Sequence, residues 1–504
     1  MKSKTTHTLL LIALIFSLST PSIMTHASSL TVNSLADAIS VDGLCTLREA
    51  IQNANQNTAT HIDCAAGSGA DTITFSLSGT ITLGSALPTI SDTAVLTIDG
   101  AGQSVTISGN NLVRMVTVNS LAVLTVHQLT IANGSTIVYG GGIENYGTLT
   151  ITNSVFTNNH STDYHGGAIY NQSGLLTITE STFSSNTAHQ RGGGIYSLGG
   201  VVNITSTAFS NNTAADGGGI YSYDCTLTIA DSTFSENNAP NGGGGGIYSI
   251  YGPLTISNTS FAANGASWGS GGGGIYNKVG LLTIANSTFS ENSASGSPGG
   301  GIFNQASMNI RLSTLSGNSA GTGGAVYNAG DNVTIANSTF SANGATASSN
   351  NGGGIYNTGK LIVTNSTLSG NTAPGNGGGL GNVGGTLTLR NTVLAHSTGG
   401  NCSGVITNGG NNLEDGATCG WGSASGSMSN TDPLLGVLTG SPAFFPLNPG
   451  SPAIDRGDDS ICTAWPVSNQ SQNGLTRPQS LHCDIGSYEL DLPIRTYLPL
   501  LFRN

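Results

Sequence analysis

Three residues able to move protons or hold an anion recur on one beat: His165, Arg191 and Asp216. Each stands four residues before an aliphatic residue, Ile169, Ile195 and Ile220, in consecutive copies of a Gly-rich block. If those copies stack as strands, neighbours in the column lie roughly 5 Å apart. An imidazole, a guanidinium and a carboxylate at that spacing are candidates for acid–base work, with Asp163 close by. The plain alternative is a solvated turn in which polar residues are tolerated. Glu180 and Asp231 form a second acidic pair, each three residues before a Phe, a position more often Asn. They sit two copies apart, roughly 10 Å, with Ser206 between them, and read as drift in an Asn column.

A column of aromatic residues runs beside the first triad. Tyr170, Tyr196, Tyr221, Tyr248, Tyr276, Phe303, Tyr327 and Tyr356 each follow the recurring aliphatic residue. Strand alternation turns them away from whatever face the aliphatics bury. An outward aromatic stripe flanked by glycines can stack on sugar rings, which makes the tyrosines candidate ligand-binding residues. The reading favoured over sugar binding is that the rings stack on each other and shield the sheet. Other motifs carry less. Arg456-Gly457-Asp458 is too short a match to mean adhesion, and the Gly-rich runs lack the Lys-Ser/Thr of a phosphate loop. Asp455, Asp458 and Asp459 fit no complete calcium ligand set, so neither metal nor cofactor is expected.

These residues must be positioned by a repeat. A Gly-Gly-Gly/Ala-Ile-Tyr block places its aliphatic residue at Ile143, Ile169, Ile195, Ile220, Ile247, Ile275, Ile302, Val326, Ile355 and Leu380, at intervals of 24 to 29 residues. A Phe/Leu-x-x-Asn block keeps the same beat from Phe156/Asn159 to Leu368/Asn371 and decays at Leu394. Ahead of it run Leu-Thr-Ile segments such as Leu149–Ile151, Leu176–Ile178, Leu227–Ile229 and Leu254–Ile256. Period-two alternation marks short strands with one buried face. A repeat near 26 residues holds about three such strands and is too short for a strand-helix-strand unit of roughly 30 residues. Winding each repeat into one coil stacks its strands in parallel, and only neighbouring coils can complete the core. The Asn closing Phe-x-x-Asn is expected at a corner in left-handed conformation, where stacked copies can hydrogen-bond as a ladder. Weaker alternation extends the coils upstream to about residue 71, for a rod near 60 Å long.

The fold class is therefore all-β, a single-stranded right-handed parallel β-helix with a short N-terminal capping helix. That helix covers residues 46–54: Leu47, Ala50, Ile51 and Ala54 form one stripe, and Thr46 with Glu49 makes a capping box. It is expected to cover the first coil, since both rod ends expose edges.

Lys2, Lys4, the apolar run Leu9–Phe16 and Thr25-His26-Ala27 read as a secretory signal over residues 1–27. No later stretch reaches the roughly 18 apolar residues of a transmembrane helix. Charged residues are 8% of the chain and the net charge is −12, with 13 basic residues scattered, which excludes nucleic acid as a partner. Export permits disulfides. Cys45/Cys64, Cys402/Cys419 and Cys462/Cys483 are the neighbour pairs and the simplest arrangement, although spacing alone leaves connectivity open, and Cys225 is left over as a small side chain at a partly buried strand position. The expected organisation is signal 1–27, cap 28–70, β-helix 71–398, a distinct C-terminal region 399–490 and a tail 491–504. The tail, with Tyr497–Arg503 apolar and ending on a base, reads as an attachment signal or as a last strand.

Cys45-Thr-Leu-Arg-Glu-Ala-Ile51 with Asn53-Ala-Asn55 resembles the CSLREA domain of exported bacterial proteins, with Thr46 where Ser is usual. The repeat blocks resemble polymorphic outer-membrane protein repeats and, more broadly, the pectin-lyase-like β-helix superfamily. Asn448–Asp455, Arg477-Pro478 and Asp484–Glu489 are similar to the choice-of-anchor Q domain. The resemblance implies a β-helix at the cell surface or outside the cell and carries over no catalytic residues. Because the superfamily includes polysaccharide lyases and glycoside hydrolases, two functions stand. One is a secreted or surface structural protein with adhesive, glycan-binding potential; the other is a carbohydrate-active enzyme. The columns are mostly Asn, Thr, Gly and Tyr, too sparse in charge for an obvious active site, and favour the first.

Overall fold

A computed structural model describes residues 27–267, 269–348 and 352–491. The signal segment, apart from Ala27, and the tail beyond Asp491 lie outside these residues. Alternation in the Leu-Thr-Ile segments produces strands such as Thr148–Thr152, Leu175–Thr179 and Val201–Thr205, paired in parallel with Leu149 opposite Leu176 and Ile151 opposite Ile178. Among the described residues they form a 15-stranded sheet. The Phe strands form a 14-stranded sheet and the Ile-Tyr strands a 12-stranded one. Short strands such as His160–Ser161 and Thr187–Ala188 add partial sheets at a further corner. Each coil of the repeat array contributes one strand to each main sheet, and the crossovers take the hand that twisted strands favour. The molecule is a right-handed parallel β-helix, and fourteen spacings of about 4.8 Å make its longest sheet about 65–70 Å along the axis.

The interior is a set of columns. Phe156, Phe183, Phe209, Phe234, Phe261 and Phe289 are fully buried and stack with centroids 4.6–4.9 Å apart. Asn159, Asn186, Asn212 and their successors to Asn371 are equally buried. From Asn159 to Asn343 each amide Nδ2 donates to the Asn Oδ1 of the next coil at 2.9 Å, and from Asn186 to Asn371 also to the Phe or Leu carbonyl of the previous coil. The ladder is as the sequence indicates, but the left-handed residue is not the ladder Asn. It is the one before it, with φ of 53° at Asn158 and 56° at Ser185 and Asn211. A second left-handed column lies three residues before each Phe, at Asn153, Glu180, Ser206, Asp231, Asn258 and Asn286. There Asn is common because its short side chain tolerates that conformation, whereas the ladder position selects Asn for a two-donor, two-acceptor amide.

The stack begins earlier than residue 71. Strand Ser29–Val32 pairs in parallel with Asp71–Phe75, and the helix Leu47–Gln56 lies in the connection between them. Thr46 and Glu49 form the capping box, and Leu47, Ala50, Ile51 and Ala54 are buried. Disulfides join Cys45 to Cys64, Cys402 to Cys419 and Cys462 to Cys483. Cys225 is a free thiol, wholly buried rather than partly, and burial pushes its pKa up.

After the last coils the chain folds back along the outside of the Phe sheet. Thr339 donates to Gln472 Oε1 at 2.7 Å, and Thr367 Oγ1 accepts from the Ser487 backbone N–H at 3.1 Å. Asn337 and Asn365 also reach this region, at Val467 and Cys462. No helix among the described residues is long and apolar enough to cross a membrane.

Candidate functional site

Stacking brings His165, Arg191 and Asp216 into one column. His165 bridges Arg191 and Arg191 bridges Asp216, both in parallel. Each precedes a left-handed glycine, Gly166, Gly192 and Gly217. A Cβ on Gly192 would sit 2.3 Å from the Ile195 carbonyl oxygen, so this turn admits only glycine. The column continues upward to Tyr139 and downward to Gly243, because the amides of Gly140 and Gly217 donate to the carbonyls of His165 and Gly243.

Two of the three side chains are held against rings. His165 stacks on Tyr196 at 4.4 Å and 11°. The Arg191 guanidinium lies 5.0 Å over Tyr221, and its Nε is 3.9 Å from Asp216 Oδ2. Asp216 Oδ1 accepts from the Gly243 N–H at 3.1 Å. Burial, and then Arg191, push the His165 pKa down to about 4, and its buried Nδ1 has no hydrogen-bond partner. Burial pushes Asp216 up, opposed by the Gly243 N–H and by Arg191. At neutral pH the column offers one imidazole held neutral, one half-exposed cation and one carboxylate. It lacks the pair of carboxylates that glycosidic hydrolysis ordinarily uses.

The neutral state of His165 makes a testable contribution to stability. An unfolded histidine takes up a proton near pH 6.5, whereas folded His165 does so only near 4. Between these values the unfolded chain binds more protons, so stability falls as the pH drops through that window. His165→Phe keeps a ring on Tyr196 without a titrating group. Melting followed at about pH 7 and about pH 4.5 is expected to show a smaller acid loss in the variant; equal losses would contradict the assignment.

The tyrosine column does face away from the core, forming an aromatic cluster of its own. It is nevertheless covered, and the expectation of an accessible stripe is corrected. Tyr170, Tyr196, Tyr221, Tyr248 and Tyr276 are only 3–6% exposed. The rings of Tyr170 to Tyr248 stack from coil to coil at 4.8–5.3 Å, and Tyr248 meets Tyr276 edge to face at 4.6 Å, so the rings cover one another. His165 and Arg191 lie on the rings of Tyr196 and Tyr221, and Leu198, Tyr223 and Ile250 pack with the cluster. Tyr327 and Tyr356, farther along, are half-buried. Burial accordingly lifts the Tyr221 phenol to about 12.

Sequence reasoning missed an ion pair at the head of this column. Glu144 pairs in register with Tyr170, the tyrosine position of its coil. It is bonded to Arg114 and accepts from the Tyr146 hydroxyl at 2.7 Å, and burial with that bond lifts the Tyr146 phenol to about 12. The signal was a Glu directly after Ile143 where Tyr recurs. Glu180 and Asp231 occupy left-handed turn positions, and Asp231 accepts from Asn258 at 3.0 Å. Asp458 caps the short helix Asp459–Thr463, while Asp455 and Asp459 accept from the backbone amides of His482 and Cys483.

Part of the chain matches a family described as a right-handed beta helix region, over residues 166–340. Residues 153–172 match the Chlamydia polymorphic membrane protein repeat. No curated protein matches. Among solved structures the chain is similar to a pectate lyase, Pel9A, at 14% identity over 93% of this chain and 97% of that one, with a TM-score of 0.26. The chain is a β-helix repeat protein, and a likeness at that score carries nothing about activity.

Proposed function

We propose that the chain is an exported structural and adhesive rod, displayed at the cell surface or released, whose outer faces take glycans. The observation that carries this reading is the placing of three disulfides in the cap, the last coil and the C-terminal region, outside the Gly-Ile-Tyr repeats. Disulfides persist in oxidising compartments, and the parts they tie are those least supported by stacked neighbours. The polymorphic membrane protein repeat and the CSLREA-like segment at Cys45–Ile51 support the same location. The choice-of-anchor-Q-like blocks around Asn448–Asp455 and Asp484–Glu489 support an attachment role for the C-terminal region. We read His165, Arg191 and Asp216 as cover for the tyrosine stack rather than as reacting groups, because two of the three lie on its rings.

Fractionation of the native cells with protease shaving tests the location. The chain is expected outside the cytoplasmic membrane, cut by external protease, with one of its seven cysteines alkylated after denaturation without reductant. Recovery from the cytoplasm with all seven thiols reactive would refute the reading.

A further inference from the structure

The outer face of the Phe sheet carries a column of small polar residues. Thr233, Ser260, Thr288, Thr314, Thr339 and Thr367 are in register on successive coils. The C-terminal region covers the column from Thr314 onward, where Gln472 donates to Thr314 Oγ1 at 2.9 Å and accepts from Thr339. Short of that point the column is open. The Ser260 and Thr288 hydroxyls and the Asn286 side-chain amide make no protein hydrogen bond among the described residues.

A cleft of about 480 Å³ lies where the covered and open parts meet. Ser260, Thr288 and the turn residue Asn286 line it from the rod, and Phe444 and Asn473 from the C-terminal region. A second cleft of about 270 Å³ shares Asn286 and Gln472 and carries the opening along the edge of that region. The lining of both lacks Asp, Glu, Lys, Arg and His. Gln472 is pinned by its bonds to Thr314, Thr339 and the Ala443 carbonyl, and Phe444 leans on Tyr488 at 5.5 Å, so the wall is preformed.

The chemistry of that lining selects its ligand. Amides and hydroxyls donate and accept, as sugar hydroxyls do, and an aromatic ring offers a surface for the apolar face of a pyranose. Without a cation, an acidic sugar would lose the solvation of its carboxylate for no partner. The main cleft falls within the size range of small-molecule sites. We infer that this cleft binds a neutral oligosaccharide lying along the edge of the C-terminal region. The inference rests on the glycan-binding part of the function proposed above, and gives it a site away from the buried tyrosines.

Titration calorimetry of the full chain with cellohexaose, mannohexaose, xylohexaose and hexagalacturonate tests it, alongside a glycan array. At least one neutral hexasaccharide is expected to bind. Phe444→Ala is expected to weaken that binding about tenfold, and so is the pair Asn286→Asp with Thr288→Ala. The side chains of the pair lie on open surface without protein hydrogen bonds, so the substitutions leave the fold intact, which guards against a folding defect in Phe444→Ala. Neutral binding untouched by the Asn286/Thr288 pair, or binding of hexagalacturonate alone, overturns the cleft while leaving glycan binding standing. No retention of the wild-type chain anywhere on the array overturns both.

Discussion

Replacing Arg477 with alanine is expected to free the C-terminal region from the rod, at a cost of about 3–5 kcal/mol. Arg477 is enclosed. It donates to the carbonyls of Gln470, Asp484 and Gly486 at 2.7–2.9 Å and lies 3.3 Å from Glu489. Burial pushes its pKa down, yet at about 10 it stays charged at neutral pH. Alanine strands three carbonyls and leaves Glu489, itself 1% exposed, without its cation. The same segment carries Gln472 and Ser487, which hold the region to Thr339 and Thr367. Limited proteolysis should therefore cut the variant within residues 430–490 while the β-sheet signal of the rod persists. Arg477→Lys, which keeps the charge but not the fork, should fall between the two. Wild-type resistance of the alanine variant to protease and denaturant would mean the pair does not hold the region.

The second large effect belongs to the Asn ladder. Asn237 Oδ1 accepts from both the backbone N–H and the Nδ2 of Asn212, and its own Nδ2 donates to Phe209 O and Asn264 Oδ1. Asn237→Leu is close in volume but leaves two donors on Asn212 unpaired in a dry interior and removes one bond from the Phe209 carbonyl. At about 1–3 kcal/mol for each buried orphan, the loss is at least about 2 kcal/mol. Asn238→Leu changes an exposed neighbour and should move stability by no more than about 0.5 kcal/mol. Denaturant midpoints of the two variants check this, and equal midpoints would refute the assignment of the ladder as a stabilising column.

The fold was legible because it is periodic: each Leu-Thr-Ile, Phe-x-x-Asn and Gly-Gly-x-Ile block meets its own copy on the next coil, so local pattern and long-range pairing are one statement. The capping helix was legible from Thr46, Glu49 and a single apolar stripe. Direction was legible too, since alternation turns Tyr170 and Tyr196 outward. Their burial was not, because it depends on what stacks beside them: one another, and His165 and Arg191 from the preceding turn. Strand Ser29–Val32 escaped notice because the helix and the Cys45–Cys64 loop interrupt the beat before Asp71. The docked C-terminal region and its cleft were invisible for a related reason. They rest on single residues, Gln472, Ser487 and the Ala443 carbonyl, meeting hydroxyls more than a hundred residues away, and no repeat announces such a contact.

The ladder has one more property, which concerns direction. From Asn159 to Asn343 each ladder amide gives one N–H to the Asn Oδ1 of the next coil, and every ladder Oδ1 from Asn159 to Asn371 accepts from the N-terminal side. Their dipoles therefore add along the axis instead of cancelling, and a bond in the middle of such a chain is polarised by the bonds on either side. The rod is vectorial. Each finished coil presents to the next an acceptor-seeking amide at a fixed place, so a coil of unstructured chain meets a template already charged to receive it from one end.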